Sequence, residues 1–432
     1  MIDLILFSLF GITVGILGGL LPALPVYIGA FLLYTFHQDL NVTEILVFWL
    51  SSFIGGQYFG SIATITTNIP GEESSLVYIN DLYKFDLYEK NKLLYDTALS
   101  SSVATFLAIG LMWLGISFLR LNELPFLYSV NVQVAIYVFL ILSFLLVNKE
   151  KWFIILLTIL FGVSIAPRAN YALPNNWYDW TWLFDGYTFY LVILGILIIP
   201  NLFTYDVDIK SNKHFEAVRD RNFNWWRTFK ASIIGFIAGL IPGPSAETGS
   251  IAAYRFIGKN KKEKIIAAEA ANNSAILASV IPFFMMTLPV NNNTLLISGI
   301  LDMHGLTMSD EILAPSGYLG LNVIDLVTLI LIFVTGLYYL LSTTFIDFYV
   351  KIMKLIHGKI KLVLLGIVLI LIYLDLLSAE ITIEHYLILL GFFTFIGFVL
   401  KKFNISAIPM MFSILLGDRL IWAGIQVSKI YF

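Results

Sequence analysis

Acidic side chains stand inside strongly apolar stretches of this sequence, where an unpaired carboxylate is costly to bury. Glu247 lies shortly after a turn at Pro242, and an acid in such surroundings is a candidate site for a proton or a sodium ion. Glu269 stands three and four residues before Asn272 and Asn273, so a helix would place all three on one face. The pattern leaves two interpretations of Glu269: the partner of a nearby lysine at an interface, or an ion ligand.

Glu72 and Glu73 follow directly after Pro70 and Gly71, a pair that ends a helix. An acid at such a position can accept hydrogen bonds from the first free amides of the next helix, where the helix dipole favours negative charge. It can equally serve as an ion ligand. Both interpretations stay open for Glu72 and Glu73 from the sequence alone.

Four turns interrupt the apolar stretches, and proline marks each of them. In hydrocarbon, the backbone groups freed at a break need partners from protein, water or ligand, so the breaks are expected to line a cavity. Hydroxyl and amide side chains gather at these breaks, although any one of them can instead bond its own backbone. The predicted substrate-binding residues are Pro22, Ser61, Thr64, Thr67, Asn68, Pro70, Gly71, Pro242, Gly243, Ser245, Thr248, Asn272, Asn273 and Pro289.

The composition indicates a membrane protein. Of the 432 residues, 59% are hydrophobic and 13% are charged, and the mean hydropathy is +0.85, far outside the range of soluble domains. The longest polar stretch, 204–230, is too short to form its own core, so capture of a substrate outside the membrane would need another chain. The lack of cysteine excludes disulfides and thiol catalysis, and no cofactor is expected.

The sequence contains two copies of one pattern, which predicts an internal repeat. A shift of 220 positions pairs Gly235 with Gly15 and Pro242 with Pro22, and glycines recur every fourth residue in both copies, which predicts close helix packing. The stretch 5–36 is too short for two crossings and too long for one, so we predict a re-entrant hairpin. The predicted first repeat is 1–203, with a hairpin at 5–36 and a broken helix at 45–79. A cytoplasmic linker at 204–230 leads to the second repeat, 231–432, with a hairpin at 231–256 and a broken helix at 265–300.

The clusters of lysine and arginine all fall on the inner side of the membrane if the N-terminus lies outside and both hairpins return to their own side. These clusters stand in the loops 80–92, 148–151, 204–230, 255–264, 351–361 and 401–402. KNKKEK, at 259–264, follows the second hairpin, whereas the counterpart after the first hairpin, HQDLNVTE at 37–44, has no lysine or arginine. The halves therefore run in opposite directions, a pattern typical of secondary transporters that bind substrate near the bilayer midplane. We predict an all-α polytopic membrane protein of two inverted-topology repeats, each with about five crossings, a re-entrant hairpin and a broken helix, and both termini outside.

Basic residues are absent from the four breaks themselves. An anionic ligand is therefore expected to be held by the positive ends of half-helices and by hydroxyl groups, together with a co-bound cation.

Four motifs carry a resemblance to a known family: GILGGLLPALP (15–25), YFGSIATITTNIPGEESS (58–75), GLIPGPSAETG (239–249) and EAANNSA (269–275). They resemble the large membrane subunit of the tripartite tricarboxylate transporter family. The resemblance implies uptake of a carboxylate such as a tricarboxylate across a prokaryotic cytoplasmic membrane, driven by sodium ions or protons. It also implies two partners, a small membrane subunit and an extracytoplasmic binding protein.

Three other functions are alternatives to carboxylate transport. A cation/proton antiporter or an ion channel could use Glu247 and Glu269 without any organic substrate. An intramembrane enzyme is disfavoured, because the breaks contain no histidine, no aspartate-rich metal pair and no nucleophile with an evident base. A receptor or scaffold would bind a ligand without moving it.

Overall fold

A computed structural model gives the fold of the chain. It describes residues 2–20, 29, 33, 40–68, 71–122, 130–147, 151–166, 187–204, 215–218, 223–241, 245–286, 290–303, 311–357, 360–378, 381–405, 407–417, 420–421 and 424–425.

The described residues form helices and turns, with no β-sheet among them. In chain order the helices are α1 Ile2–Leu20, α2 Val42–Thr67, α3 Ile79–Leu82, α4 Leu87–Asn122, α5 Val130–Val147, α6 Trp152–Ile165, α7 Phe189–Ile193, α8 Ile199–Thr204, α9 Trp225–Gly239, α10 Ser245–Phe256, α11 Lys261–Ala278, α12 Val280–Met286, α13 Asn292–Met303, α14 Val323–Thr344, α15 Ile346–His357, α16 Ile360–Ser378, α17 Ile383–Lys402 and α18 Ile408–Leu415. A 3₁₀ turn, Glu73–Val77, precedes α3, and a π-helical turn, Leu194–Ile198, joins α7 to α8.

The chain divides into two compact units. The first contains Met1–Asn122 and Val207–Ile360, and the second contains Glu123–Asp206 and Lys361–Phe432. Each unit therefore draws on both of the predicted repeats. The inverted repeat and its boundaries stay predictions, since contacts within a unit do not measure symmetry between halves.

Six described helices are long and apolar enough to cross a membrane: Ile2–Leu20, Val42–Thr67, Leu87–Phe118, Lys261–Met285, Val323–Thr344 and Ile383–Lys402. Several such helices in one chain make it a multi-pass membrane protein. Ile2–Leu20 covers the outgoing limb of the predicted first hairpin, and most of the returning limb lies outside the described residues.

Helix α2 lies in the interior of the first unit, and its sequence sets where it begins and ends. Asn41 and Glu44 form a capping box: the Asn41 side chain accepts from the Glu44 amide at 3.0 Å, and the Glu44 carboxylate accepts from the Asn41 amide at 3.1 Å. The helix ends at Asn68, which adopts the left-handed conformation with φ 59°. Every residue of α2 from Thr43 to Thr66 is buried by the rest of the protein.

The predicted broken helix at 45–79 begins with the continuous helix α2. Helix α2 has 26 residues and is thus about 39 Å long, enough to cross the hydrocarbon core by itself. Nothing between 42 and 67 interrupts its helical hydrogen bonds, and the chain turns only after Asn68. In the predicted broken helix at 265–300, α11 ends at Ala278 and α12 begins at Val280, so the helix is interrupted at Ser279. The depth of either break in the membrane stays a prediction.

Glycines pack α1 against α2, as predicted. A Cβ atom placed at Gly11, Gly15 or Gly19 would clash with the α2 backbone. In the second half, Gly235 and Gly239 of α9 lie equally close to the backbone of α11. The recurrence of glycine at every fourth residue predicted close helix packing, and the packing is confirmed at these positions.

Helices α9 and α10 are the two limbs around the turn at 242–244. They have 15 and 12 residues, so each is too short to cross the bilayer. Gly249 of α10 faces Gly235 of α9, where an added Cβ would stand 3.2 Å from the Gly235 Cα. Two short helices packed side by side are what a hairpin requires, and the residues of the turn itself lie outside the described set.

The second unit contains a buried acid that the sequence analysis did not single out. Asp375 of α16 is fully buried and accepts hydrogen bonds from the Thr188 and Tyr386 hydroxyls, each at 2.7 Å. Thr188 is also the N-cap of α7, so the carboxylate links the start of α7 to α16 and α17. Its role is therefore explained by the packing of this unit.

Candidate functional site

The chain turns back on itself after α2. The Gly71 amide donates to the Thr64 hydroxyl at 2.8 Å, and the Thr64 hydroxyl donates to the Gly60 carbonyl at 2.8 Å. Gly71 lies directly on the Gly60 backbone, so no side chain fits between them. Thr64 thus bonds the turn to the helix, and Gly71 permits the close approach.

The segment 72–82, which we call the strap, then runs along α11. Its contacts with that helix come in reverse chain order: Glu72 with Asn272, Tyr78 with Glu269, and Asp81 with Lys261. Two strands of chain with contacts in reverse order lie antiparallel. The strap therefore carries side chains from the first half of the sequence onto the helix that contains EAANNSA.

Glu269 is the centre of the polar cluster. It is only 1% exposed, and its two carboxylate oxygens accept hydrogen bonds from the Ser61 hydroxyl of α2 and the Tyr78 hydroxyl of the strap. Glu269 therefore does not pair with a lysine, which removes one of the two interpretations left open by the sequence. A carboxylate held by two neutral hydroxyls inside a crossing is the costliest group of the cluster.

Asn272 lies one turn after Glu269 on α11 and binds a second carboxylate, that of Glu72. Its side-chain amide donates to Gln57 Oε1 at 2.9 Å and to Glu72 Oε1 at 2.7 Å. The Glu72 carboxylate can only accept, so the Asn272 amide nitrogen must face it. The buried Asn272 Oδ1 then has no hydrogen-bond partner among the described residues.

Glu72 does not cap the 3₁₀ turn that follows it, because its side chain makes no capping hydrogen bond and faces Asn272. The capping interpretation of Glu72 is therefore wrong, while the Glu73 side chain lies outside the described set. Glu269 and Glu247 both lie within electrostatic range of the Glu72 carboxylate. Glu247 itself is half-buried in the first turn of α10.

The remaining predicted residues do not contact the carboxylates of the cluster, or they lie outside the described residues. Asn273 faces away from the carboxylates and donates to Ser101 of α4 at 3.0 Å. Thr67 bonds the Ala63 carbonyl at 2.6 Å, Ser245 is buried beside the hairpin turn, and Thr248 is exposed. Pro22, Pro70, Pro242, Gly243 and Pro289 lie outside the described residues.

Three members of the site were missed by the sequence analysis. Gln57 precedes Ser61 by four residues, so a helical face shared with a predicted residue could have revealed it. Tyr78 carried no such signal, because only the fold-back of the strap brings it to Glu269. Lys90 was assigned to a cytoplasmic loop, yet it is 7% exposed in the first turn of α4, with its Nζ 2.5 Å from Asn68 Oδ1.

Replacing Asn272 with alanine should lower the free energy of unfolding by about 1–3 kcal/mol, because the Glu72 carboxylate loses a buried donor. Ser274→Ala is the matched control, since Ser274 is buried on the same turn and its hydroxyl has no hydrogen-bond partner among the described residues. Thermal unfolding in detergent compares the two variants. Equal melting temperatures would show that the Asn272 bonds do not hold the strap.

An ion pair fastens the end of the strap. Asp81 Oδ1 lies 2.6 Å from Lys261 Nζ, and Asp81 Oδ2 accepts from the Tyr254 hydroxyl of α10. Desolvation by burial would raise the pKa of Asp81, but the bonds from Lys261 and Tyr254 and the nearby lysine charges outweigh it and hold the pKa below its ordinary value. The strap is thus joined both to α11 and to the hairpin.

Asp81→Asn should therefore destabilise the protein slightly at neutral pH, by at most about 1 kcal/mol for such a peripheral pair. Because the folded pKa is lowered, the Asp81 contribution is present above about pH 4 and is lost as the pH falls through the folded value. Melting curves of both proteins between pH 7 and acid should converge at the acid end. Asp347→Asn is the control, because it also removes an ion pair, between Asp347 and Lys351, but both of these residues lie on one helix and outside the strap.

These observations define a multi-pass membrane protein with a buried carboxylate, Glu269, where two helices and the strap meet. The chain belongs to the tripartite tricarboxylate transporter TctA family, whose model matches residues 5–412, and the resemblance drawn from the four motifs is confirmed. A relative from Agrobacterium vitis, an uncharacterised 52.8 kDa protein in the TAR-I ttuC' 3' region, is 24% identical over 330 residues. The alignment covers 71% of this chain and 64% of the relative. No solved structure matches the chain.

Proposed function

We propose that the protein is the large membrane subunit of a secondary active transporter that moves a carboxylate, such as a tricarboxylate, by coupling to a sodium or proton gradient. The observation that carries the proposal is the gathering of two carboxylates: Glu269, buried in a helix of crossing length, and the half-buried Glu72 of the strap, which Asn272 binds one turn further along that helix. Membership in the tripartite tricarboxylate transporter family supports the class of substrate.

The ligands of the cluster suit a hard monovalent cation or a proton. Glu269, Glu72 and Asn272 all present oxygen atoms, and the unpartnered Asn272 Oδ1 supplies an acceptor that no described residue uses. Sodium ions are bound by carboxylate and amide oxygens, and a proton would bind either carboxylate. Glu72, Glu247 and Glu269 are therefore the proposed coupling residues.

Charge repulsion gives a physical reason for coupling. Two unit charges 4 Å apart in a partly screened protein site repel by about 4 kcal/mol. An organic anion that approaches Glu72 and Glu269 meets this repulsion until a cation neutralises them. Cation binding then precedes anion binding, and neither solute crosses efficiently alone.

Movement of the strap provides a route between the two faces. The strap is attached to α11 at Glu72, Tyr78 and Asp81, and the Asp81 contacts also reach the hairpin helix α10. Release of the Asp81 end would open the site to one side of the membrane. This alternating access, with the hairpins on opposite sides, follows the inverted arrangement predicted from the sequence.

Transport in proteoliposomes tests the proposal. Sodium and pH gradients are imposed separately, and uptake of labelled citrate, succinate and acetate is followed with and without the partner subunits. Accumulation of a carboxylate under one of the gradients is expected. Absence of uptake across the panel, with partners present, contradicts the proposal.

The gathering of acids also favours a second candidate, a cation/proton antiporter or an ion channel. This function would use the same carboxylates without an organic substrate. Sodium or proton flux that persists in the absence of any carboxylate would identify it.

The partners and the membrane complete the proposal. A small membrane subunit and an extracytoplasmic binding protein would deliver the substrate, in keeping with the tripartite family. The chain is proposed to lie in a prokaryotic cytoplasmic membrane, with both termini outside.

A further inference from the structure

A polar cavity of about 200 Å³ lies between α4 and the first turns of α9 and α11. The side chains that line it include Asp96, Asn224, Arg227, Asn260, Lys262 and Glu263. We infer that this cavity binds the phosphate group of a membrane phospholipid. It is a different site from the carboxylate cluster, because neither Glu269 nor Glu72 lines it, and the inference does not depend on the proposed transport.

Helices α9 and α11 bring their first turns together at the cavity. Arg227 of α9 pairs with Glu263 of α11 at 2.8 Å. Two turns further along both helices, Gly235 lies directly on the Ala271 backbone. Contacts in the same chain order make the two helices parallel, so the partial positive charges at their N-terminal ends add at the cavity.

The charged side chains of the cavity balance one another. Lys262 Nζ lies 2.8 Å from Asp96 Oδ2, and Arg227 Nη2 lies 2.8 Å from Glu263 Oε1. Each acid therefore already has a base beside it. The two helix N-terminal ends add to this balanced set, so the surplus charge at the cavity is positive.

The cavity also offers hydrogen-bond donors that are not engaged. A guanidinium group has five N–H donors, and among the described residues the guanidinium of Arg227 pairs with Glu263 alone. Asn224 and Asn260 cap α9 and α11, and their side-chain oxygens accept from the amides of Arg227 and Glu263 at 3.0 and 2.9 Å. These bonds turn each oxygen to its own helix and leave the NH₂ group for a ligand. A phosphate group, whose oxygens accept and which arginine binds with two parallel bonds, suits such a set of donors.

The position of the cavity favours a phospholipid over a free phosphate ion. The cavity lies where Lys261–Met285, a stretch of crossing length, begins, so it stands near the surface of the membrane. Beside it, Trp225 and Trp226 of α9 are 61% and 63% exposed. Exposed tryptophans of membrane proteins lie at the level of the lipid headgroups.

The size and the predicted side of the membrane agree with a headgroup. The cavity is smaller than the roughly 300–1,000 Å³ pockets that enclose drug-sized molecules, so it holds a phosphate group while the acyl chains stay in the bilayer. The linker 204–230, which leads into α9, is predicted to be cytoplasmic. Basic pockets between membrane helices on that side bind anionic headgroups. The lipid is therefore assigned to the inner leaflet.

Thermal unfolding in detergent measures the binding, because a ligand that binds only the folded protein raises its melting temperature. The protein is titrated with dihexanoyl phosphatidylglycerol, with dihexanoylglycerol, which lacks the phosphate, and with inorganic phosphate. We expect only the phosphatidylglycerol to raise the melting temperature. An equal rise with dihexanoylglycerol, or with inorganic phosphate at the same concentration, overturns the inference.

Three variants locate the binding. Arg227→Met removes the guanidinium group and its ion pair, whereas Glu263→Gln removes the ion pair and keeps the guanidinium group. We expect Arg227→Met to weaken the affinity for dihexanoyl phosphatidylglycerol about 10- to 100-fold, the range of charge-assisted hydrogen bonds, and Glu263→Gln to bind at least as tightly as the wild type. Lys230→Met is the matched control, because Lys230 lies over the Trp226 ring and does not line the cavity. Equal affinity of Arg227→Met and the wild type, or an equal loss in either of the other variants, contradicts the inference.

A second measurement covers the case in which Arg227→Met does not fold. The wild-type protein in vesicles is cross-linked to a phosphatidylglycerol with a photoreactive headgroup, and the modified peptides are located by mass spectrometry. Cross-links in 223–228 and 260–266 that an excess of ordinary phosphatidylglycerol suppresses support the inference. Cross-links confined to other segments overturn it.

Discussion

Glu269→Gln is expected to abolish gradient-driven accumulation of substrate and to leave the protein folded. Glutamine has nearly the same shape as glutamate, but it carries no charge, and its amide nitrogen cannot accept from the Ser61 or Tyr78 hydroxyl. Loss of the charge removes the cation ligand at the centre of the cluster. We expect accumulation to fall at least a hundredfold, on the order of the 2.7 kcal/mol or more lost with a buried charged ligand.

Two measurements make this prediction specific. Thermal unfolding should show only a modest loss of stability, since one of the two hydroxyl bonds survives. Glu384→Gln, an exposed acid in the first turn of α17, should accumulate substrate like the wild type. Normal accumulation by folded Glu269→Gln would remove Glu269 from the coupling site.

Gly71→Ala should disrupt the strap and, with it, transport. A Cβ atom at Gly71 would stand inside the contact distance of the Gly60 backbone, and backbone atoms cannot rotate away as a side chain can. Forcing an extra group into so close a contact costs about 1–3 kcal/mol or more. The strap would move off α2, and Tyr78 and Glu72 would leave Glu269 and Asn272.

Gly60→Ala tests the same contact from the other side. A Cβ atom at Gly60 would lie 3.6 Å from the nearest Gly71 atoms, which is ordinary van der Waals contact. We expect Gly60→Ala to fold and to transport, and Gly71→Ala to lose more than nine-tenths of its uptake and several degrees of melting temperature. Equal uptake and equal melting temperatures for the two variants would show that the Gly60–Gly71 contact does not hold the turn after α2 against that helix.

Much of the architecture was predictable because it depends on local chemistry. Asn68 ends α2 where the proline and glycine that follow cannot continue a helix, and Asn41 with Glu44 begins it. The recurrence of glycine at every fourth residue of α1 predicted its packing on α2, because only glycine lets the two helix backbones come so close. Glu269 and Asn272 share a face of α11, as their spacing requires.

The site itself was only partly predictable, because it depends on a fold-back that no local pattern encodes. Pro70 and Gly71 predicted the break after α2, but no local pattern indicates that the chain then turns back onto the end of that helix. This return brings Tyr78 to Glu269, turns Glu72 away from a capping role, and buries Lys90 against Asn68. The expectation that an anion is held at the breaks by half-helix ends and hydroxyls, with a co-bound cation, stays a prediction. Lys90, which comes from the next helix, places a basic group beside Asn68 at the first break.

The central claim is that the buried carboxylates couple an ion to the movement of a carboxylate substrate. Citrate counterflow through Glu269→Gln, measured in the same proteoliposomes as gradient-driven accumulation, tests it most directly. We expect the variant to exchange labelled for unlabelled citrate across the membrane but not to accumulate citrate when a sodium or pH gradient is imposed. Loss of both activities in a folded protein, or retention of both, would contradict it.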